Sequence, residues 1–150
     1  KIIQNDTRWN GLRPWARYLG FATGEGSSFQ IDPTMAIKTE LPRIFDSSKK
    51  ELPAKDFLDA LSAHIPVLDN GVFRMDVEGK LNTTTWRKPS DHHLSMALSL
   101  ALRRLELSNE IKLAGKADAG SSFRLTGKNY RTGIGGLIGF ESVIWSGRPI

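Results

Sequence analysis

Gly26-Ser27-Ser28-Phe29-Gln30-Ile31 returns as Gly120-Ser121-Ser122-Phe123-Arg124-Leu125. Each copy lies downstream of a helix-like run, one ending Arg17-Tyr18-Leu19-Gly20-Phe21 and the other Arg103-Arg104-Leu105-Glu106-Leu107. A Gly/Ser cluster ahead of an aromatic residue and an aliphatic one reads as the turn and return strand of a hairpin. The chain is therefore expected to carry a helix followed by a two-stranded hairpin twice. That pattern rules out an all-helical or all-strand architecture and predicts an α+β fold.

Hydrophobic spacing fills in the elements between. From Thr7 the apolar positions Trp9, Leu12, Ala16 and Leu19 step by three and four, predicting a helix that opens at Asn5 or Asp6 and buries one stripe. Arg13 and Arg17 then share a different, exposed face, and Pro14 predicts a kink or a later start. The first hairpin joins Phe21-Ala22-Thr23 to Phe29-Gln30-Ile31. Asp32-Pro33 opens a helix through Ile37, Leu41 and Ile44, and another begins at Leu52-Pro53 and stops before Pro66. Val72-Phe73-Arg74-Met75-Asp76-Val77 alternates and predicts a strand. Pro89-Ser90-Asp91 is expected to cap the strongest helix, with Leu94, Leu98, Ala101, Leu102 and Leu105 on its core face. A second hairpin follows, 110–114 returning as 121–126, then a Gly-rich connection and a last strand over 140–145.

Read as helix, helix, strand, helix and hairpin, residues 33–126 resemble the winged helix-turn-helix superfamily. The helix over 91–107 and the hairpin over 110–126 carry the likeness. Residues 5–31 look like the closing half of a similar unit. The expected organisation is a partial unit over 1–32, one complete winged-helix unit over 33–132, and a Gly-rich connection with a terminal strand over 133–150. Trp15-Ala16-Arg17-Tyr18-Leu19-Gly20-Phe21 is also similar to a phrase in large proteins encoded beside prokaryotic DNA-modification and anti-phage islands. This second resemblance implies an antiviral-defence setting. Lys1 stands where an initiating Met would, so the chain is expected to be a piece of a longer prokaryotic protein.

Charge supplies the functional expectation. The 150 residues hold 21 Lys and Arg against 16 Asp and Glu, a net +5, which favours a polyanionic partner through summed field and counterion release. In a winged helix bound to DNA, the helix before the wing enters the major groove and wing side chains meet phosphates. That assigns Ser95, Ser99, Arg103, Arg104, Lys112, Lys116, Arg124 and Lys128 to the second unit's contact, and Arg8, Asn10, Arg13 and Arg17 to the first. Arg103, Arg104, Lys112, Lys116 and Arg124, with Arg13 and Arg17, form the candidate set for gripping duplex DNA. The first wing carries Glu25 and no Lys or Arg, so any wing contact falls to the second. The alternative is a protein-docking or oligomerisation scaffold using the aromatic first unit together with Leu137, Ile138, Val143 and Ile144.

Other chemistries find no support. With no cysteine, disulfides and thiolate sites are excluded, and a reducing, cytoplasmic location fits. The longest apolar stretch, around Leu94 to Leu107, is broken by Ser95, Ser99, Arg103 and Arg104 and does not span a membrane. His92 and His93 are adjacent, so on a helix they diverge by about 100 degrees, and only His64 remains as a further histidine ligand. No metal or cofactor is expected. The 133–139 segment lacks the Gly-Lys-Ser/Thr ending of a phosphate loop, and no nucleophile elbow occurs, so a non-enzymatic protein is expected.

Overall fold

The computed structural model describes residues 5–45, 49–81, 92–115, 123–126 and 139–147. They form an α+β fold in which three helices, α2 (Thr34–Ile44), α3 (Ala54–His64) and α5 (Met96–Leu107), pack on one face of a small antiparallel sheet. Its strands are β3 (Glu51–Pro53), β4 (Ile111–Ala114) and β7 (Ser142–Trp145), in the order β3-β7-β4.

The core follows from spacing. Ile37, Leu41 and Phe45 recur every fourth residue of α2 and its cap, Phe57, Leu58 and Leu61 line one side of α3, and Leu98, Ala101, Leu102 and Leu105 line α5. The sheet meets them with the rung Leu52, Val143 and Leu113, while the next rung, Glu51, Ile144 and Lys112, faces outward. Val143 is fully buried on the middle strand, so it belongs to the core and offers no docking surface. The strand over 51–53 occupies the point where a helix start was expected. Pro53 is tolerated there because β3 is an edge strand whose last residue needs no donor.

The N-terminal part is a helix with a hairpin laid against it. α1 (Asp6–Tyr18) starts where expected, with Asn5 accepting from the Arg8 amide at 3.0 Å, and Pro14 stays inside it. None of its residues is buried, which corrects the expected core stripe. β1 (Ala22–Thr23) and β2 (Gln30–Ile31) make the first hairpin around a 3-10 turn at Gly26–Ser28. Between α1 and β1 the chain turns at Gly20, whose φ is 77° and whose carbonyl lies 3.2 Å from the Ala36 amide. A Cβ there would lie 2.8 Å from that same nitrogen.

Two sequence expectations give way. Residues Val72–Glu78 form a helix, α4, and not a strand. Arg74 reaches Glu78 at 2.6 Å and Asp69 at 2.8 Å, Lys80 reaches Asp76 at 2.6 Å, and these helical pairings outweigh a two-residue alternation. The second hairpin is also rewired. β4 pairs with β7, while β5 (Phe123–Arg124) pairs with β6 (Gly139–Phe140) and runs beside residues 92–94, with Leu94 donating to the Arg124 carbonyl at 2.9 Å. Consequently α5 begins at Met96, capped by the Ser95 hydroxyl, rather than at Asp91. Just past its end stands Asn109, a left-handed residue (φ 57°) that lets the Glu110 amide return to the Leu105 carbonyl. The phenylalanines that close the two repeats therefore sit in unlike settings. Phe29 precedes a strand paired with the one before it, and Phe123 lies on a strand paired with the one after it.

Candidate interaction surface

The arginines singled out by sequence are mostly occupied within the protein. Arg103 donates to Glu106 one turn along, and Glu106 also accepts the Leu113 amide at 3.3 Å. Arg104 donates to Asp32, a carboxylate 3% exposed whose other oxygen accepts the Thr34 amide at 3.1 Å. In the first unit Arg13 donates to the Gly26 carbonyl at 2.7 Å and stacks over Phe29, its guanidinium carbon 5.1 Å from the ring centroid. Arg17 donates to Glu25 and to the Gly24 carbonyl at 3.5 Å. The Arg17 hydrogen bond and charge hold the Glu25 carboxyl below its ordinary value. Arg13 and Arg17 thus staple α1 to its hairpin and Arg104 ties α5 to the start of α2, while Arg103 is paired within α5.

Two of the assigned cations are differently placed. Lys112 stands on the outer face of the sheet and Arg124 on β5 near the start of α5, both exposed and without an ion pair among the described residues. About 10 residues of helix, roughly 15 Å at 1.5 Å per residue, separate the Arg124 end of α5 from Arg104. Arg124 and Arg104 therefore lie toward opposite ends of α5. Lys116 and Lys128, with Leu137 and Ile138, lie outside the described residues. Ser99, expected on the outward face of this helix, is fully buried, and its hydroxyl accepts the Thr126 amide at 2.8 Å.

The outward stripe of α5 is apolar. Met96, Leu100, Arg103 and Leu107 follow one another at helical spacing. Met96 is 56% and Leu107 64% exposed, with Arg103 neutralised between them. Neither Asn, Gln nor a free Arg stands on that stripe to read a base edge.

A second apolar surface lies between α1 and α4, a groove of about 770 Å³. Leu12, Trp15 and Leu19 form one wall, Pro66, Val67 and Phe73 the other, and Phe21, Ala36 and Ile65 lie between. Its polar residues are already satisfied. Glu40 accepts from Arg43 at 2.8 Å and faces His64 Nδ1 at 3.0 Å, and Arg74 is braced by Asp69 and Glu78. Burial pushes the Glu40 carboxyl up, but the His64 and Arg43 hydrogen bonds outweigh it and leave the group below its ordinary value. Sequence reasoning missed Phe73 because the 72–77 alternation concealed a helix, and missed Asp32 as a partner because nothing local links it to Arg104.

Among the described residues no three His, Asp or Glu side chains converge as a metal site, and no helix is long and apolar enough to cross a membrane. The fold and its surface thus define an α+β protein with exposed apolar side chains on α1, α4 and α5 and with most of the arginines beside them paired internally. The chain matches the DpdG-like family over residues 1–119 and belongs to it. Neither a curated protein nor a solved structure matches it.

Proposed function

We propose that this chain is a non-enzymatic winged-helix module that docks a protein partner within DNA-modification machinery, with α5 as the docking helix. The winged-helix reading is supported by element order. From α2 onward, leaving out α4 and the short β5–β6 pair, the chain runs α2, β3, α3, α5, β4, β7, and the sheet order β3-β7-β4 places the last strand between the other two. In that arrangement α5 holds the position from which DNA-binding members reach the major groove. The DNA-modification setting is supported by membership of the DpdG-like family, whose name is associated with that process.

One observation carries the docking assignment: the outward stripe of α5 exposes Met96 and Leu107 while Arg103 and Arg104 are bonded to Glu106 and Asp32. Exposed apolar side chains on a rigid helix gain by leaving water, whereas phosphate recognition needs uncommitted cations. Site-specific photo-cross-linkers at Met96 and Leu107, in the full-length protein inside cells, distinguish the outcomes. Protein adducts at both positions are expected. DNA adducts there would overturn the reading.

A second reading keeps the nucleic acid. Lys112 and Arg124 are exposed and unpaired among the described residues, so they are the two described members of the candidate set able to grip duplex phosphates without first breaking a bond.

A further inference from the structure

The α1–α4 groove is independent of the α5 stripe and raises a separate question of what fills it. α1 buries nothing, yet it carries the most exposed aromatic side chains around the groove, Tyr18 at 82% and Trp15 at 63%, and Phe73 stands at 62% on the opposite lip. An aromatic side chain covers roughly 150–250 Å², so these three leave on the order of 400 Å² bare. Leu19, Ile31 and Val67, each half exposed or more, line the same groove and enlarge the patch. Its extent exceeds the roughly 300–600 Å² patch of an ordinary monomer and approaches the ~800 Å² that each partner of a standard complex covers.

We infer that this face is a two-fold interface, on which a second copy of the chain sets its Trp15 and Tyr18 into the groove of the first and offers its own groove in return. A two-fold contact needs projection and recess on the same patch, and here one helix supplies both. Gly11 gives an independent reason. It shares a face of α1 with Trp15 and Tyr18, and a Cβ added to it would meet nothing within 4 Å, so no contact inside the protomer requires a glycine. A mid-helix glycine costs roughly 0.5–1 kcal/mol relative to alanine, and close approach of a second helix backbone accounts for its presence. A membrane surface fits less well. Arg13 and Arg17 are bound to the hairpin, which removes the free cationic border that a membrane-lying helix uses.

Sedimentation velocity on the 150-residue chain tests this from about 1 to about 100 µM, within the span where interfaces of this size associate. A dimer is expected, with Trp15→Glu weakening it at least tenfold. Gly11→Gln is the companion variant, because its side chain enters open space in the protomer. At a concentration where the parent is monomeric it should melt no lower than the parent, and it should still weaken the dimer at least tenfold. A monomer throughout the range, an assembly larger than a dimer, or a dimer unmoved by Gly11→Gln would overturn the inference. Protein adducts from Leu107 in cells would survive a monomeric result, so the two assignments fail separately.

Discussion

Arg104, in the last turn of α5, is hydrogen-bonded to the buried carboxylate of Asp32, 72 residues earlier in the chain. Asp32 also accepts from the Thr34 amide and its hydroxyl, and its own amide donates to the Phe21 carbonyl at 2.9 Å. One carboxylate thus fastens the end of the first hairpin, the first turn of α2 and the third core helix to each other.

Removing the cation strands that carboxylate. Arg104→Ala should destabilise the fold by roughly 2–3 kcal/mol, below the full cost of breaking a wholly buried pair because Arg104 itself remains partly in water. The corresponding fall in melting temperature is about 5–10 °C for a chain of this length. Urea denaturation at neutral pH measures it. A midpoint unchanged within error would mean that the contact is not made.

Gly11 should respond in the opposite sense. Its backbone is helical and the space around it is open, so Gly11→Ala is expected to stabilise the protomer by roughly 0.5–1 kcal/mol through helix propensity. The comparison belongs at the lowest workable protein concentration, where association contributes nothing. Destabilisation there would show that the α1 backbone is not helical at this point.

Ser99 joins α5 to the strand beside it. Ser99→Ala leaves the Thr126 amide without its acceptor and should cost about 1–2 kcal/mol, since the N–H stays shielded from water. Amide exchange at Thr126 is the specific reporter. It should accelerate in the variant while amides of α3 slow or quicken only with global stability.

Periodicity made most of this core readable. Leu98, Ala101, Leu102 and Leu105, Ile37 with Leu41, and Phe57 with Leu58 all lie where a 3.6-residue repeat puts them, because burial of a stripe is written locally in the sequence. Strand partners were not readable, since no local signal around Arg124 distinguishes pairing backward to 111–114 from the forward pairing to 139–140 that the structure has. The duplicated Gly-Ser-Ser-Phe shows the same limit, since its two phenylalanines adjoin strands that pair in opposite directions along the chain. Charge pairing at the surface was only partly readable, for a related reason. Arg103–Glu106 has the spacing of a helical pair and could have been read as one, but Arg104–Asp32 exists only through tertiary structure.

The Glu40 carboxyl links stability to acidity. Its pKa is lowered from 4.5 in the folded protein, so in the unfolded chain the group takes up a proton first as pH falls. Folded-state stability from this group is complete above about pH 4.5 and drains away below it as pH falls through the folded value. Glu40→Gln should therefore lose stability at neutral pH and show a shallower acid limb in denaturation profiles. A limb as steep as that of the parent would place the titrating group elsewhere.

The two classes of cation separate in a salt titration of duplex DNA. Lys112 and Arg124 are uncommitted, so each phosphate they neutralise should add about 0.9 to the slope of log K against log salt. If the nucleic-acid reading holds, Lys112→Glu and Arg124→Glu each flatten that slope by about this amount while leaving the urea midpoint in place. Arg103→Glu and Arg104→Glu should do the reverse, lowering the midpoint with little effect on slope among the molecules still folded, because their charge is already spent on Glu106 and Asp32. Equal slopes for all four variants and the parent, at any salt where binding is seen, would leave α5 and β5 without a DNA contact. The exposed Met96 and Leu107 would then stand as the chemistry of that face.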